Sequence, residues 1–393
     1  MALSRRSFRK KAIFTLLGVV ALVSAAAGGI FLAPVSSNEG IDGFGPIIKD
    51  RNQILDLPKG FSYKIIARAG DRMTDGFYVP GLADGMAAFP GPDGSTILIC
   101  NHEFRIGYPE SVGPFKGKGK LSEKLGEDMI YDRGNKGNPC LGSTTTLVYD
   151  AKARKLKSHF LNMVGTLANC SGGITPYNTW LSCEEVFENP GENCAQKHGY
   201  VFEGPIFTEP RVIKPVPLKG LGRYQHEGVA VVPQTGLVYL TEDQIDGLLY
   251  RFVPDKPGHL AEGGRLQCLA VVDKPQFDTR DWKGPALLPG EVLPVYWIDL
   301  DSVDPETDNL RQRGYKLGAA LFAGAEGICL HEGTVIFDCT NGSRTGKGQV
   351  WRYTPSPLEG TPREKESPDG STMFLNILEP GLTLAVTGPW KKQ

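Results

Sequence analysis

The stretch Glu227-Gly228-Val229-Ala230-Val231-Val232, continuing through Gly236-Leu237-Val238-Tyr239-Leu240 to Gly247-Leu248-Leu249-Tyr250-Arg251-Phe252, is nearly repeated further along the chain. The second copy runs Glu326-Gly327-Ile328-Cys329-Leu330, Gly333-Thr334-Val335-Ile336-Phe337 and Gly348-Gln349-Val350-Trp351-Arg352-Tyr353. Each copy opens on an acid before glycine and carries three short runs rich in β-branched and aromatic residues. The acid and the closing arginine stand 24 residues apart in one copy (227 to 251) and 26 in the other (326 to 352). Runs of this kind separated by glycine read as strands joined by tight turns. Their recurrence predicts a toroid of repeated sheets, and an acid at a fixed place in each repeat would converge near its axis. Convergent carboxylates repel one another unless cations hold them, so the repeat is also a metal hypothesis.

Two further stretches read as weaker copies. One contains Asp84-Gly85-Met86, Thr96-Ile97-Leu98-Ile99-Cys100 and Thr145-Thr146-Leu147-Val148-Tyr149-Asp150; the other Gly172-Gly173-Ile174, Thr179-Trp180-Leu181-Ser182-Cys183 and His198-Gly199-Tyr200-Val201-Phe202. In all four the central strand ends in a polar cluster: Asn101-His102-Glu103, Cys183-Glu184-Glu185, Glu242-Asp243 and Asp338-Cys339-Thr340-Asn341. Such a cluster taken singly is an ordinary solvated turn, but its recurrence at one place in the repeat argues for a shared role.

With 393 residues, 40% of them hydrophobic, the chain is long enough for one large repeat domain. Its 49 glycines and 29 prolines suit many tight turns, and no long helical periodicity follows residue 35. The expected fold is all-β, a six-bladed β-propeller spanning 34–393 with an axial metal site. The segment 1–33 is set apart as a twin-arginine signal peptide. It reads Ser4-Arg5-Arg6-Ser7-Phe8 before an apolar run from Ala12, with Arg9 where an apolar residue is usual. Extended to Ala33, the run approaches the roughly 20 residues of a membrane anchor, so cleavage stays open. Removing the segment through Ala27, with its five basic residues, leaves 38 basic against 44 acidic side chains, a net charge of −6. A mildly acidic chain of this kind gives no reason to expect nucleic-acid binding. Export through the twin-arginine machinery places the protein in the periplasm or outside the cell. A monomer with no stable membrane partner is expected.

Eight cysteines follow the leader: Cys100, Cys140, Cys170, Cys183, Cys194, Cys268, Cys329 and Cys339. An oxidising destination permits disulfides, but the density is too low for a disulfide scaffold, and no CxxC zinc pair occurs. No nucleophile elbow or Ser-His-Asp order supports serine hydrolysis.

The segment Asn169-Cys170-Ser171-Gly172-Gly173-Ile174-Thr175-Pro176-Tyr177-Asn178-Thr179-Trp180-Leu181-Ser182-Cys183-Glu184-Glu185 is similar to the cysteine-containing signature of the PhoX-type bacterial alkaline phosphatases. Asn101-His102-Glu103, Gly222-Arg223-Tyr224-Gln225-His226-Glu227 with Tyr239-Leu240-Thr241-Glu242-Asp243, and the Gly348 to Tyr353 close resemble the same family in the same order. The resemblance runs from about residue 80 to 355. It implies a six-bladed propeller with an iron and calcium cluster and hydrolysis of small phosphate monoesters outside the cytoplasm. It implies that Cys183 is the iron thiolate and that Glu103, Glu227 and Glu326 are cluster carboxylates. Glu184 and Asp246 are further metal candidates. The residue chemistry agrees, since a thiolate suits iron and several carboxylates suit calcium. Read on its own, Cys183 is equally a buried thiol or a disulfide partner of Cys170 or Cys194. His102 and His226 sit beside candidate ligands but face away from them, because neighbouring strand residues point oppositely. The expected nucleophile is a metal-bound oxygen, with no side chain assigned a catalytic role.

One position departs from the family. Where its members carry an arginine two residues before the acid equivalent to Glu326, this chain has Gly324. Such an arginine would hold a phosphate dianion in a bidentate grip. Arg223 and Arg344 are the candidate replacements, with Lys347 beside the latter; the turn holding Arg344 and Lys347 lacks Walker spacing. Two alternatives follow. One is a metal-stabilised propeller that binds partners and has lost phosphatase activity. The other is a calcium-dependent hydrolase of lactones or other esters.

Overall fold

A computed structural model describes residues 44–117, 119–135, 137–284, 286, 292–356, 359–360, 369–371 and 384–387. The expected leader, 1–33, lies outside them. Among the described residues strands dominate and helices are short, the longest being Leu310–Leu317. No helix among them is long and apolar enough to cross a membrane.

The chain divides into two compact units. The smaller takes residues 1–68 and 382–393. In it β1 (Ile47–Ile48) pairs antiparallel with β2 (Leu57–Pro58), and β3 (Ser62–Ile65) with β20 (Leu384–Thr387). The Asp50 carboxylate closes the turn after β1, accepting the Ile54 N–H at 2.9 Å and the Tyr63 hydroxyl at 2.6 Å.

The larger unit, residues 69–381, holds three antiparallel sheets. The first is β4 (Ala83–Pro90), β5 (Thr96–His102), β6 (Gly142–Asp150) and β7 (Lys155–Thr166), in chain order. The second is β8 (Asn169–Ile174), β9 (Thr179–Glu184) and β10 (Val201–Pro205). The third has nine strands. It opens with β11 (His226–Val231), β12 (Val238–Glu242), β13 (Tyr250–Pro254), β14 (Gly264–Val271) and β15 (Leu293–Asp299). It closes with β16 (Ala325–His331), β17 (Thr334–Cys339), β18 (Gln349–Thr354) and β19 (Asp369–Ser371), in the spatial order β15-β19-β18-β17-β16.

Each stretch read as a repeat forms three neighbouring antiparallel strands, β4–β6, β8–β10, β11–β13 and β16–β18. Among the described residues these four repeats lie in three sheets rather than in six separate blades. The third and fourth repeats belong to a single ladder, because β19 hydrogen-bonds to β15 on one side and β18 on the other. The apolar runs of the strands bury two main clusters. One holds Leu181, Val201, Val229, Val238, Leu240, Tyr250 and Phe252, the other Tyr239, Val335, Phe337, Trp351 and Tyr353. The cores fix the strands, and with them the first strand of each repeat, the inner one, where β4 packs on β8, β8 on β11 and β11 on β16.

Candidate metal centre

The inner strand of every repeat slips register at the same place. The shift lies between Ala83 and Met86 in β4, Asn169 and Gly172 in β8, His226 and Val229 in β11, and Ala325 and Ile328 in β16. The residues caught in the slip are Asp84-Gly85, Cys170-Ser171, Glu227-Gly228 and Glu326-Gly327. A bulge of this kind leaves a residue unpaired and re-aims its side chain. The small second residue lets adjacent inner strands approach backbone to backbone. A Cβ on Gly85 would stand 2.7 Å from the Cys170 carbonyl oxygen, and one on Gly228 would stand 2.8 Å from Ile328 Cγ2 and 3.1 Å from the Glu326 carbonyl oxygen. Side chains from the second strands clamp these bulges. The Asn101 amide donates to the carbonyls of Cys170 at 3.0 Å and Ser171 at 2.8 Å, while its oxygen accepts from Trp180 Nε1 and Ser182 Oγ, each at 2.9 Å. The Thr241 hydroxyl donates to the Glu326 carbonyl at 2.6 Å and accepts the Gly228 N–H at 2.8 Å.

The second strands supply a second set. His102, Glu184, Glu242 and Cys339 pair across from the residue just before each bulge. The residues that follow them are Glu103, Glu185, Asp243 and Thr340. The two sets meet. Ligand atoms of Cys170, Glu185 and Glu227 lie within 4.8 Å of one another, and the Cys170 thiol donates to Glu227 Oε1 at 3.4 Å. Burial, reinforced by the Glu103 charge, pushes Asp84 up to about 6. Burial raises Glu185 to about 7, against the pull of Arg105 and with Asp243 and Glu103 adding to the rise. Burial and then Glu326 and Glu185 drive Glu227 far above the carboxylate range. Glu326 rises to about 8 through burial and the charges of Asp243, Asp338 and Glu185. Burial and the carboxylates around it likewise push the Cys170 thiol up. Arg105 reaches into this group, its Nε 3.0 Å from Glu103 Oε1 and its guanidinium also bonded to the Glu185 carboxylate.

Buried carboxylates facing one another are costly as anions and become favourable when a cation neutralises them. The donor set, several carboxylates with one thiol, fits hard ions on oxygen and a softer transition metal on sulfur. The carboxylates of Asp84, Glu103, Glu185, Glu227 and Glu326 and the Cys170 thiol therefore suit metal ligation, with Arg105 the cation that faces them.

Of the residues anticipated from sequence, Glu103, Glu227 and Glu326 are brought to this group. The others lie elsewhere, for identifiable reasons. Cys183 is wholly buried in the apolar cluster with Leu181, Val201 and Tyr224, and the thiol among the acids is Cys170 instead. Glu184 points to the opposite side of its strand from Glu185. Its carboxylate accepts His198 Nδ1 at 2.7 Å and the N–H groups of Leu167 at 2.8 Å, Gly199 at 2.8 Å and Tyr200 at 3.1 Å. Asp246 accepts Arg311 Nε at 2.8 Å and Gln312 Nε2 at 3.3 Å, and the acid of that segment turned toward the group is Asp243. Arg223 is fully buried and unsuited to gripping substrate. It donates to the carbonyls of His198 at 2.9 Å, Pro305 at 2.9 Å and Glu188, and stacks 3.8 Å from the Phe187 ring. Arg344 and Lys347 are exposed in the β17–β18 turn, where the Arg344 N–H donates to Asp281. His102 and His226 are buried and bonded to the carbonyls of Gly81 and Gly222, both at about the length of an ordinary hydrogen bond, 2.9 and 3.0 Å.

Sequence reasoning missed Asp84, Cys170, Glu185, Asp243 and Arg105. The signal was present in the repeat. With the second copy aligned on its central strand, Cys170-Ser171 takes the acid-glycine place and Glu185 the place of Glu103. Gly324 is also explained locally. Its φ is +65°, and a Cβ there would lie 2.6 Å from Thr340 Oγ1 and 2.7 Å from Asn341 Nδ2. The backbone has adapted to glycine, so an arginine could not simply be restored.

The family profile described as "Alkaline phosphatase PhoX" matches residues 42–366. No curated protein matches the chain significantly. Among solved structures, PQQ-bound aldose sugar dehydrogenase from Streptomyces coelicolor is similar at 12% identity, covering 76% of this chain and 83% of its own, with a TM-score of 0.30. A putative 6-phosphogluconolactonase from Bacteroides uniformis aligns at 11% identity over 73% of each chain, with a TM-score of 0.29. The periplasmic gluconolactonase PpgL of Pseudomonas aeruginosa aligns at 12% identity over 72% of this chain and 70% of its own, with a TM-score of 0.29. Likeness at these scores carries no argument. The profile covers most of the chain, and the chain belongs to the PhoX alkaline phosphatase family.

Proposed function

We propose that this family member is an exported phosphomonoesterase that works with iron and calcium held on the axis of a six-bladed propeller. The observation that supports it most strongly is the bulge recurring in four inner strands, which delivers Asp84, Cys170, Glu227 and Glu326 to one acidic group. In this reading Cys170 is the iron thiolate, and Glu103, Glu185, Glu227 and Glu326 hold the ions, with Asp84 and Asp243 beside them. Once bound, the ions would neutralise these acids and polarise a phosphate ester.

The chain's own residues do the rest. The Asn101 and Thr241 clamps hold the bulged backbone in place, so ligand positions are set before substrate arrives. Arg105, with its side chain 42% exposed, is the cation able to turn from its carboxylates toward a phosphate dianion. It takes the role that sequence reading had offered to Arg223 and Arg344. The twin-arginine leader supports export to the periplasm or beyond, and a monomer acting on small phosphate esters needs no nucleic acid or stable membrane partner.

The test is full-length protein, exported with its own leader, assayed for iron, calcium and phosphate release from an aryl phosphate. Both metals with turnover are expected, with Arg105→Ala raising KM more than it lowers kcat. Gly324 favours a second reading, a metal-stabilised module without phosphatase activity. Bound metals with no release from any simple phosphate ester would establish that reading and end the first.

A further inference from the structure

Glu184 opens onto a second polar group, on the far face of its strand from the acidic cluster. Asp132 and Cys140 come from the connection between β5 and β6, and Cys194 and His198 from the connection between β9 and β10. All four are buried, and one ligand atom of each lies within 4.8 Å of every other. Cys140 Sγ is 4.0 Å from Cys194 Sγ and 3.9 Å from His198 Nε2, and His198 Nε2 is 3.1 Å from Asp132 Oδ2. A tetrahedral zinc ion, with Zn–S about 2.3 Å and Zn–N or Zn–O about 2.0–2.1 Å, spaces its ligands roughly 3.3–3.8 Å apart. The three distances just given differ from these by a few tenths of an ångström, two of them having to close and the His198–Asp132 edge to open slightly, and the other three edges lie within 4.8 Å.

We propose that Asp132, Cys140, Cys194 and His198 form a buried structural zinc site, separate from the acidic cluster and stapling the two connections together.

The surroundings are those of a metal site already oriented. Glu184 Oε1 accepts a hydrogen bond from His198 Nδ1–H at 2.7 Å, which leaves Nε2 aimed at the other three ligands. Tyr131 packs edge-on against the imidazole at 5.2 Å and fixes its plane. Asp132 is held rigidly, because the N–H groups of Gly134, Ala195 and Gln196 all donate to its carboxylate. The Asn135 amide ties the connections again through the carbonyls of Gly191 and Cys194. Leu167, Cys140 and Cys194 share a small apolar cluster against Val186, which excludes water. The Cys194 thiol faces both the Cys140 thiol and the His198 imidazole within this group. Zinc would replace the proton on His198 Nε2 and the thiol protons, releasing them to solvent with no change of oxidation state. The ligands are scattered through the chain and form no CxxC pair, which is why sequence spacing does not reveal them.

The decisive sample is full-length exported protein carrying Cys170→Ser, so that no thiol remains in the acidic cluster. Element analysis should find about one zinc per chain. Cobalt exchanged into the protein should show thiolate-to-cobalt charge-transfer absorption that disappears in a further Cys140→Ser or Cys194→Ser change. Stripping the zinc should make two more thiols reactive. If the added serine variants do not fold, the cobalt spectrum and thiol count of the parent decide alone. Absence of zinc uptake and of the charge-transfer band would overturn the proposal. So would peptide mapping that finds Cys140 and Cys194 joined in a disulfide in the purified protein.

Discussion

Glu184 and Glu185 are neighbours in the chain and opposites in setting. Glu184 faces four donors, one imidazole nitrogen and three backbone N–H groups, within the pocket behind β9. Glu185 faces Cys170, Glu227 and other acids, with Arg105 its cationic partner, and burial lifts it to about 7. An acid supplied with donors stabilises as an anion whatever else binds. An acid surrounded by acids is stable only when something positive joins it. The contrast separates the polar groups on the two faces of β9: in one the acid is supplied with donors by the chain itself, and in the other acids face acids.

The largest expected effect breaks the two cysteines apart. Cys170→Ser should strip iron and lower phosphate release beyond the roughly 10–100-fold that changes around a metal's ligands cost. Cys183→Ser should keep metal and turnover but lose about 1–3 kcal/mol of stability, since a hydroxyl would be buried among apolar side chains. The reverse outcome, iron lost with Cys183→Ser alone, would sink the assignment of the thiolate.

The glutamate pair comes next. Glu184→Gln should destabilise by about 3–5 kcal/mol in urea unfolding, because it leaves a buried partner uncompensated. Glu185→Gln should leave the metal-free protein as stable or more so, by relieving repulsion, while weakening metal retention. Equal stability losses in the two variants would show that the two faces do not differ as described.

The smallest effect is the dependence on pH. Asp84, Glu185 and Glu326 have folded-state values raised to about 6, 7 and 8, so the folded chain holds their protons more tightly than the unfolded chain. Their contribution is fully present below the unfolded carboxylate range and is lost as pH climbs through about 6 to 8. Metal-stripped protein should therefore melt at progressively lower temperature across that interval, and metal-loaded protein should flatten the slope. A stripped protein that instead gained stability there would contradict the electrostatic account.

Much of this was legible in the chain. The Glu227 and Glu326 repeats marked the strands and the acids. Alternation along a strand already separated His226 from Glu227 and, applied to Glu184-Glu185, would have separated those as well. Cys170 was hidden because it stands where the other repeats carry an acid, so a search for acid-glycine passed over it. Asp246 and Arg223 were misread for a different reason. Asp246 was chosen a little beyond the matched Glu242-Asp243 segment and Arg223 as a replacement cation, but Arg311 and the carbonyls of His198 and Pro305, all distant in sequence, occupy them.

The sequence by itself determined the strand-rich character, the repeated inner acids and membership of the family, because these rest on local periodicity and motif. Only the tertiary structure decided which thiol joins the acids, which glutamate of a pair is used, and that Asp132, Cys140, Cys194 and His198 meet. Those outcomes depend on one-residue register slips and on contacts between connections far apart in the chain, where a bulge turns a side chain to the other face and no local pattern records it.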